Sequence, residues 1–292
     1  KKDLSIRRTL DRERLWTAFT PQIFKKEALS SALENNLLQG RIFTDEASLV
    51  EANNGILKSN YKLVWSEFFN ESHLDTNKWN IEIRDPGWVN NELQAYTDKQ
   101  DNIYIQKNNL VIQGIKENYG TAEYTSGRIN TSGKSSWKYG RFEIRAKIPK
   151  QQGLWPAIWL LSETIYIDGW PNCGEIDIME HVNNEDIIYG TIHSEKYNHM
   201  NKTQIGGNMI IENLDLKFHT FGLEWNSQSL VWFIDNNVYH RIDKKDYFDN
   251  NWPFDNNYFL IINQAIGGFW PGDPGSDFKQ TQFIIDWIKV YQ

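Results

Sequence analysis

The chain has 292 residues, enough for one large domain or for a mid-sized domain with an appendage. Its formal net charge of −7, with both signs scattered along the sequence, excludes the basic stripe that a nucleic-acid-binding protein needs. The single cysteine, Cys173, excludes an internal disulfide framework and a cysteine-built metal site. Stability must therefore come from packing.

No run of about 18 apolar residues occurs, so we expect no membrane-spanning helix. The first residues lack the apolar core of a secretory signal, although a signal removed earlier would leave no trace. Aromatic residues make up 14% of the chain, including thirteen tryptophans. This excess fits two uses, the packing of a β-sandwich core and exposed ring faces that stack on sugars.

The first sixty residues differ from the rest and predict a short, mainly helical N-terminal extension. Thr20 and Pro21 are typical of a helix N-cap and first helical residue, apolar residues follow at helical spacing, and Gly40 is a plausible stop. We recognise no family motif in this extension, residues 1–60. An accessory segment, a packing extension and a lid remain open as its role.

From Tyr61 onward, short segments of period two are separated by Gly, Asn and Asp, which is typical of β-strands. Residues 141–148 alternate polar and apolar side chains, and residues 230–234 and 238–242 predict a hairpin around a short polar turn. Many short strands with almost no helical periodicity predict an all-β domain over residues 61–292, an antiparallel sandwich or jelly roll.

Three acids, Glu175, Asp177 and Glu180, lie on one predicted strand with apolar residues between them. In a regular strand Glu180 would point away from the other two, where a lone buried carboxylate is costly. One extra residue near 178–179, a β-bulge, restores the phase and brings all three to one face. If the next strand pairs through the turn at 183–186, Glu180 lies opposite Tyr189, Asp177 opposite Thr191, and Glu175 opposite His193.

Three crowded carboxylates repel one another, which raises at least one pKa and leaves one acid protonated near neutral pH. Hydrolysis of a glycosidic bond uses such a pair, one group to protonate the leaving oxygen and one to attack or to activate water. An arbitrary E-x-D-x-x-E segment is more often a set of solvent-facing acids, and a metal site is a further alternative. The surrounding sequence argues against the first. The scarcity of nearby histidines argues against a catalytic metal.

The acid segment resembles the active strand of glycoside hydrolase family 16, and the similarity extends over residues 61–292. Within the family, the chain is most similar to bacterial-type laminarinases, which are endo-acting β-1,3-glucanases. The segments that carry this likeness are WVNNELQAYT (88–97), TSGRI (125–129), GLWPAIWLL (153–161), DGWP (168–171) and AIGGFWPG (265–272). Two residues between Asp177 and Glu180 resemble the bulged subgroup of the family and not the lichenases.

The resemblance implies a β-jelly-roll with a concave substrate cleft and a retaining, two-glutamate mechanism on β-glucan. By position, Glu175 resembles the nucleophile, Glu180 the general acid/base, and Asp177 the acid that assists both. No cofactor is implied for catalysis. We expect a secreted or extracellular protein that acts as a monomer on a β-glucan polysaccharide or oligosaccharide.

Candidate substrate-binding residues divide into stacking and polar groups. Asn91 and Arg128 are the expected ligands of sugar hydroxyls, and His193 either orients Glu175 or is an ordinary histidine on the sheet. Core packing competes with sugar contact for two of the tryptophans, Trp155 and Trp159. The tryptophans expected to stack on sugar rings are Trp88, Trp155, Trp159, Trp170 and Trp270.

Family members often hold a structural calcium ion through a C-terminal aspartate and two main-chain carbonyls. Asp286 matches the aspartate, and Phe68 and Asn108 fall near the carbonyl positions. Residues 67–70, EFFN, stand where the family commonly has an acidic pair before Phe. The resemblance thus implies a possible structural calcium with an incomplete motif.

Two rival functions stay open from the sequence. The first is a hydrolase or transglycosylase for another β-glycan, such as mixed-linkage glucan or galactan, because the catalytic strand is common to all of these. The second is a β-glucan-binding recognition protein that keeps the aromatic cleft and lacks the chemistry. The presence of both glutamates favours an enzyme.

Overall fold

The computed structural model describes residues 61–248 and 251–292. The predicted helical extension over residues 1–60 lies outside the described residues, so its structure and the predicted domain boundary stay predictions. In the described ranges a helix of four residues, α1 (Ile165–Asp168), and a 3-10 helix at Lys244–Asp246 accompany the strands. None of the described helices is long and apolar enough to cross a membrane.

Seventeen strands form in the described residues, as the period-two pattern predicts. In chain order they are β1 (Leu63–Glu67), β2 (Asn80–Ile81), β3 (Gln94–Tyr96), β4 (Ile103–Gln106), β5 (Asn109–Tyr119), β6 (Ala122–Ser126), β7 (Arg128–Asn130), β8 (Gly140–Lys147), β9 (Leu154–Ser162), β10 (Glu175–Glu180), β11 (Ile187–His193), β12 (Ile205–Ile210), β13 (His219–Trp225), β14 (Ser229–Ile234), β15 (Asn237–Asp243), β16 (Tyr258–Ile266) and β17 (Gln280–Tyr291).

The strands form two sheets that pack face to face as a sandwich, which confirms the predicted fold class. The ten-stranded sheet has the order β15-β14-β13-β8-β17-β5-β6-β3, with β1 paired to β17 and β4 to β5. The seven-stranded sheet has the order β12-β11-β10-β9-β16-β7-β2. Pairing is antiparallel except between β3 and β6. The carboxylate strand β10 therefore lies inside its sheet, between β9 and β11.

The core lies between the sheets and is built by side chains that alternate along each strand. Phe142 and Ile144 of β8 and Ile176 and Ile178 of β10 are all buried in one apolar cluster. The predicted strand at residues 141–148 and the predicted hairpin, now β14 and β15, are both confirmed. Several tryptophans pack in this core, which is the first of the two uses suggested by the aromatic content. Those buried in it are Trp79, Trp137, Trp225, Trp232 and Trp252.

Trp232 connects this core to the carboxylate strand. Its indole Nε1–H, reaching across from β14, donates a hydrogen bond of 2.7 Å to the main-chain carbonyl of Asp177. Asp177 is the first residue of the irregular part of β10, where the register with β11 shifts. Backbone groups in such a bulge lose their cross-strand hydrogen bonds and require other partners. Gly190 of β11 lies opposite this stretch and leaves room for the Trp232 ring. A core side chain thus supports the distortion that orients the acids.

Replacing Gly190 by alanine is expected to destabilise the fold. The added Cβ would lie 2.5 Å from Trp232 Cδ1 and 2.5 Å from the Tyr239 hydroxyl, so the buried Trp232 ring and the partly buried Tyr239 side chain would have to move. Overpacking of this kind costs about 1–3 kcal/mol, and we expect a loss of that size in urea denaturation. Gly206→Ala, whose nearest neighbouring atom lies at 3.0 Å, is the control with a smaller expected loss. Equal losses in the two variants would contradict this packing account.

Candidate active site

The carboxylate strand has the predicted irregularity and the predicted register. Its ladder with β11 pairs Glu175 with His193, Asp177 with Thr191 and Glu180 with Tyr189, and the register shifts between Asp177 and Glu180. The ladder with β9 shifts between Asp177 and Met179. The extra residue brings Glu175, Asp177 and Glu180 to the same face of the sheet, and all three line one cavity.

This cavity, the cleft, has a volume of about 780 Å³ and lies over the seven-stranded sheet. Six of the eight predicted substrate-binding residues line it: Trp88, Arg128, Trp155, Trp159, Trp170 and His193. Trp155, Ala157 and Trp159 alternate along β9 and face the cleft, so this side of the strand is not part of the core. Tryptophans therefore serve both uses that the composition suggests, in the core and in the cleft.

Two of the predicted binding residues lie outside this cavity. Asn91 lines a second, smaller cavity of about 360 Å³ together with Pro86 and Glu123, while its neighbour Asn90 lines the cleft. Trp270 is half-exposed at the edge of the cleft, where its ring meets that of Trp155 edge to face at a centroid distance of 5.4 Å. Trp270 therefore extends the aromatic wall beyond the cavity, whereas Asn91 does not face the acids.

Two cleft tryptophans bind two of the three carboxylates through their indole N–H groups. Trp155 Nε1 donates to Glu180 Oε1 at 2.9 Å, and Trp170 Nε1 donates to Glu175 Oε2 at 3.1 Å. A hydrogen bond to a carboxylate restricts its rotamers and favours its ionised form. These side chains therefore orient the two glutamates, a role that the sequence did not indicate for either tryptophan.

His193 faces both acids at the start of the carboxylate strand. Its Nε2 lies 3.3 Å from Asp177 Oδ2 and 3.7 Å from Glu175 Oε1. The Trp170 ring packs beside the imidazole at a centroid distance of 6.0 Å, and the ring of His199 at 5.2 Å. His193 is thus a cleft residue in contact with both acids, and its orienting action on Glu175 stays a prediction.

Burial raises the pKa of all three acids, and the charge of Asp177 adds to this rise in the two glutamates. Desolvation and the neighbouring Asp177 raise the pKa of Glu175 to about 8, against the attraction of His193. The same two causes raise the pKa of Glu180 to about 8, against the attraction of His193 and the hydrogen bond from Trp155. Desolvation holds the pKa of Asp177 well above its ordinary value. The cluster therefore keeps protons near neutral pH, as a general acid requires.

These shifts predict how the acids affect stability. Because folding raises the pKa of Glu175 and Glu180 from 4.5 to about 8, the native state binds more protons than the unfolded chain between these values. Their contribution to the free energy of unfolding is therefore full below the lower value and is lost as the pH rises through the upper one.

Glu175→Gln removes one of these titrating groups. We compare the free energy of unfolding of the variant with that of the parent by urea denaturation at about pH 5 and at about pH 8. From the lower to the higher pH, this difference should move in favour of the variant by roughly 1–3 kcal/mol. Glu163→Gln, an exchange on the exposed surface, is the control and should show no such gain. A stability difference between Glu175→Gln and the parent that does not change with pH would contradict the assignment.

A buried network that the sequence did not reveal supports one wall of the cleft. Glu92 is 6% exposed and accepts hydrogen bonds from Gln94 Nε2 at 2.8 Å and from the Tyr96 hydroxyl at 3.2 Å. The Tyr96 oxygen accepts from Asn263 Nδ2, whose Oδ1 in turn accepts from Trp159 Nε1 at 2.8 Å. The chain of bonds runs from a buried carboxylate to a cleft tryptophan and fixes the orientation of its ring.

Arg128 packs between aromatic rings in the same wall. Its guanidinium lies 4.8 Å from the ring centre of Trp159 and 5.2 Å from that of Trp88, and its Nε–H donates to Glu82 Oε1 at 3.0 Å. Cation–π contacts of this kind hold the rings in place. Further cleft residues that the sequence did not indicate are Ile165 of α1 and, from loops, His199, Met200 and Phe269.

The residues of the predicted calcium site converge at one point of the ten-stranded sheet. β1 pairs with the second half of β17, and β5 pairs with the first half along the same edge. Phe68, which follows β1, and Asn108, which precedes β5, therefore both lie on the Asp286 side of this edge. The Asp286 carboxylate, however, is ion-paired with Arg145. One carboxylate already neutralised by a guanidinium is a poor donor set for Ca²⁺, which takes six to eight oxygen ligands. The calcium ion stays a prediction.

Two family models match this chain. Residues 88–289 match the model of the glycosyl hydrolases family 16. The model of 2-C-methyl-D-erythritol 4-phosphate cytidylyltransferase matches residues 1–59, which lie outside the described residues.

Several known proteins are similar to most of the chain. A beta-glucanase from Rhodothermus marinus is 41% identical over 244 residues, which cover 80% of this chain and 85% of that protein. A glucan endo-1,3-beta-glucosidase from Cryptopygus antarcticus is 36% identical over 250 residues, covering 78% and 91%. The solved laminarinase catalytic domain from Thermotoga maritima has a TM-score of 0.75 at 40% identity, covering 80% of this chain and 99% of that domain. The chain therefore belongs to the glycosyl hydrolases of family 16.

Proposed function

We propose that this chain is a retaining, endo-acting hydrolase of β-1,3-glucan. The observation that carries the proposal is the bulged strand that presents Glu175 and Glu180 to one tryptophan-lined cleft, each bound by an indole N–H. Relatives named beta-glucanase, glucan endo-1,3-beta-glucosidase and laminarinase support β-1,3-glucan as the substrate.

In the proposed mechanism, Glu175 attacks the anomeric carbon while Glu180 protonates the departing glycosidic oxygen. The bond to the leaving sugar breaks as the bond to Glu175 forms, which gives a glycosyl-enzyme. Glu180, now ionised, takes a proton from water, and that water releases the sugar with its β-configuration kept. Burial raises the pKa of Glu175 and Glu180 alike, so the cluster holds a proton near neutral pH, and the mechanism places that proton on Glu180 and leaves Glu175 ionised.

Asp177 and the cleft aromatics assist these steps. Asp177 lies between the two glutamates on the strand and raises the pKa of both. Trp170 and Trp155 hold the carboxylates through their N–H groups, so their rotamers need no reordering when a sugar arrives. The exposed ring surfaces of the cleft are suited to the apolar faces of glucose units.

A substrate panel tests the proposal. We expect new reducing ends from laminarin, measured beside lichenan, agarose and xyloglucan at equal polymer mass. A viscosity that falls early in the reaction indicates cuts inside the chain, and long products above the starting length would indicate transglycosylation. Activity on another glycan with laminarin untouched would overturn the proposed substrate. Binding of laminarin without any turnover would favour a recognition protein.

Assembly and location complete the proposal. We propose a monomer, because the residues that carry the chemistry all come from β10 of a single chain. We also propose an extracellular location, because a polymeric glucan does not cross a cell membrane. Size-exclusion chromatography with light scattering and measurement of the protein in culture medium test these two statements.

Trp155→Phe is expected to change the pH profile. The exchange keeps the ring and removes the N–H that lowers the pKa of Glu180, so this pKa should rise further. Because the acid must be protonated at the start, the alkaline limb of kcat/KM should move to higher pH, with kcat reduced about tenfold. Trp159→Phe removes an N–H that binds Asn263 instead, and it should leave this limb in place. Equal limbs in parent and Trp155→Phe would contradict the role.

A further inference from the structure

The mixed donor set at the start of β10 and the end of β11 forms a compact group. The group comprises His193 Nε2, a carboxylate oxygen of Glu175 and a carboxylate oxygen of Asp177. One donor atom of each residue lies within 4.8 Å of the others. Since Glu175 and His193 pair directly across two strands, backbone hydrogen bonding holds these donors together.

The two distances from His193 Nε2 to the carboxylates are close to the ligand spacing around a small metal ion. Zinc binds nitrogen at about 2.0–2.1 Å and carboxylate oxygen at about 2.0–2.2 Å, so neighbouring ligands in a tetrahedron lie about 3.3–3.5 Å apart. His193 Nε2 lies 3.3 Å from Asp177 Oδ2 and 3.7 Å from Glu175 Oε1. One imidazole with two carboxylates suits a borderline ion such as Zn²⁺, whereas Ca²⁺ and Mg²⁺ prefer oxygen alone and more ligands.

A second observation points to a ligand between these groups. Asp177 Oδ2 is a buried atom without a hydrogen-bond partner, in a residue that is 3% exposed. A buried carboxylate oxygen left unsatisfied is costly, and a cation at this point would compensate it. His193, 6% exposed, directs Nε2 at the same oxygen.

The surroundings favour reversible binding over a resident ion. His193 Nδ1 has no hydrogen-bond partner in the part of the chain that the structure describes, so the outer support common in permanent histidine sites is missing there. The group also faces the cleft, which gives an ion a path from solvent and leaves its fourth position to water.

We propose that Glu175, Asp177 and His193 form a reversible binding site for a divalent transition-metal ion such as Zn²⁺, and that its occupancy stops hydrolysis. The bound ion takes the lone pair with which Glu175 attacks the sugar, and it fills the space beside the anomeric carbon. The metal site stands on the donor geometry and the unpartnered Asp177 oxygen, whereas the inhibition rests on the proposed function.

Metal binding is tested on the full, tag-free chain with two probes. Co²⁺, followed by visible absorption, reports the coordination directly, and Zn²⁺ is followed by calorimetry and by displacement of cobalt. We expect one ion per chain, and an affinity at least about tenfold lower in His193→Gln. Cys173→Ser removes the buried thiol two residues before Glu175, and His73→Gln removes an exposed imidazole. Both controls should bind as the parent does.

Unchanged affinity in a folded His193→Gln, or its loss in Cys173→Ser, would overturn the site. Asp177→Asn gives a second variant with the same expected loss, with circular dichroism as the check of folding. For inhibition, we expect saturating zinc to abolish release of reducing ends from laminarin and a chelator to restore it. Undiminished hydrolysis with zinc bound at His193 would overturn the inhibition. A chelated enzyme without activity would overturn the proposed function, while the cobalt titration would still decide the metal site.

Discussion

Glu175→Gln is expected to lower kcat on laminarin by ~10⁴-fold or more, the scale on which loss of a covalent nucleophile acts. An amide cannot form the glycosyl-enzyme, so the first displacement fails. The exchange preserves shape, and the amide oxygen can still accept the hydrogen bond from Trp170 Nε1. Binding of laminari-oligosaccharides, measured by calorimetry, should therefore remain close to that of the parent.

The control for this result is Glu163→Gln, the same exchange at an exposed residue that does not line the cleft. It should keep the turnover of the parent. Turnover that persists in Glu175→Gln would contradict the nucleophile assignment, whereas joint loss of turnover and binding would indicate a distorted cleft. Retained binding with no turnover would also separate an enzyme from a recognition protein, because only the enzyme loses a measurable rate.

The geometry of the carboxylate strand could be predicted because local physical rules determine it. Acids at positions 175, 177 and 180 cannot share a face of a regular strand, so a single inserted residue is the simple solution. The short polar turn after the strand then fixes the cross-strand partners. The observed pairing of Glu175 with His193 and of Glu180 with Tyr189 follows from these two constraints.

The supporting shell could not be predicted in the same way, because its partners are distant in sequence. Glu92 and Asn263 meet through Tyr96 only after β3 and β16 have packed into the fold, and no spacing rule links residues so far apart. The indole N–H bonds of Trp155 and Trp170 depend on side-chain rotamers, which a strand pattern does not determine.

Alternation also proved an incomplete guide to burial in the ten-stranded sheet. The pattern of β8 predicts that Phe142 and Ile144 are buried, and they are, but Arg141 and Glu143 on the other face are buried as well. Arg141 is ion-paired with both Glu143 and Glu224, and its guanidinium lies 4.1 Å from the ring centre of Phe233. The alternation of side chains along a strand indicates which residues share a face. Whether that face is buried depends on the side chains that pack against it.

Glu180→Ala is expected to lose about 10²–10⁴-fold of the parent's activity on laminarin, the range typical of a general acid/base. An activated aryl β-glycoside needs no protonation of its leaving group, so Glu175 can still form the glycosyl-enzyme. Water then attacks slowly, because the base that would take its proton is missing. Azide is already an anion, needs no base, and should accelerate release of the aryl group.

The configuration of the azide product decides between the two glutamates. In Glu180→Ala, azide displaces Glu175 from the glycosyl-enzyme, so two inversions give a β-glycosyl azide, identified by NMR. In Glu175→Ala, azide takes the place of the nucleophile and attacks once, so an α-glycosyl azide is expected. No acceleration by azide in Glu180→Ala would contradict its role. An α product from Glu180→Ala would indicate that Glu180 is the nucleophile and Glu175 the acid/base. A single attack by azide inverts the configuration, and it occurs only where the nucleophile has been removed.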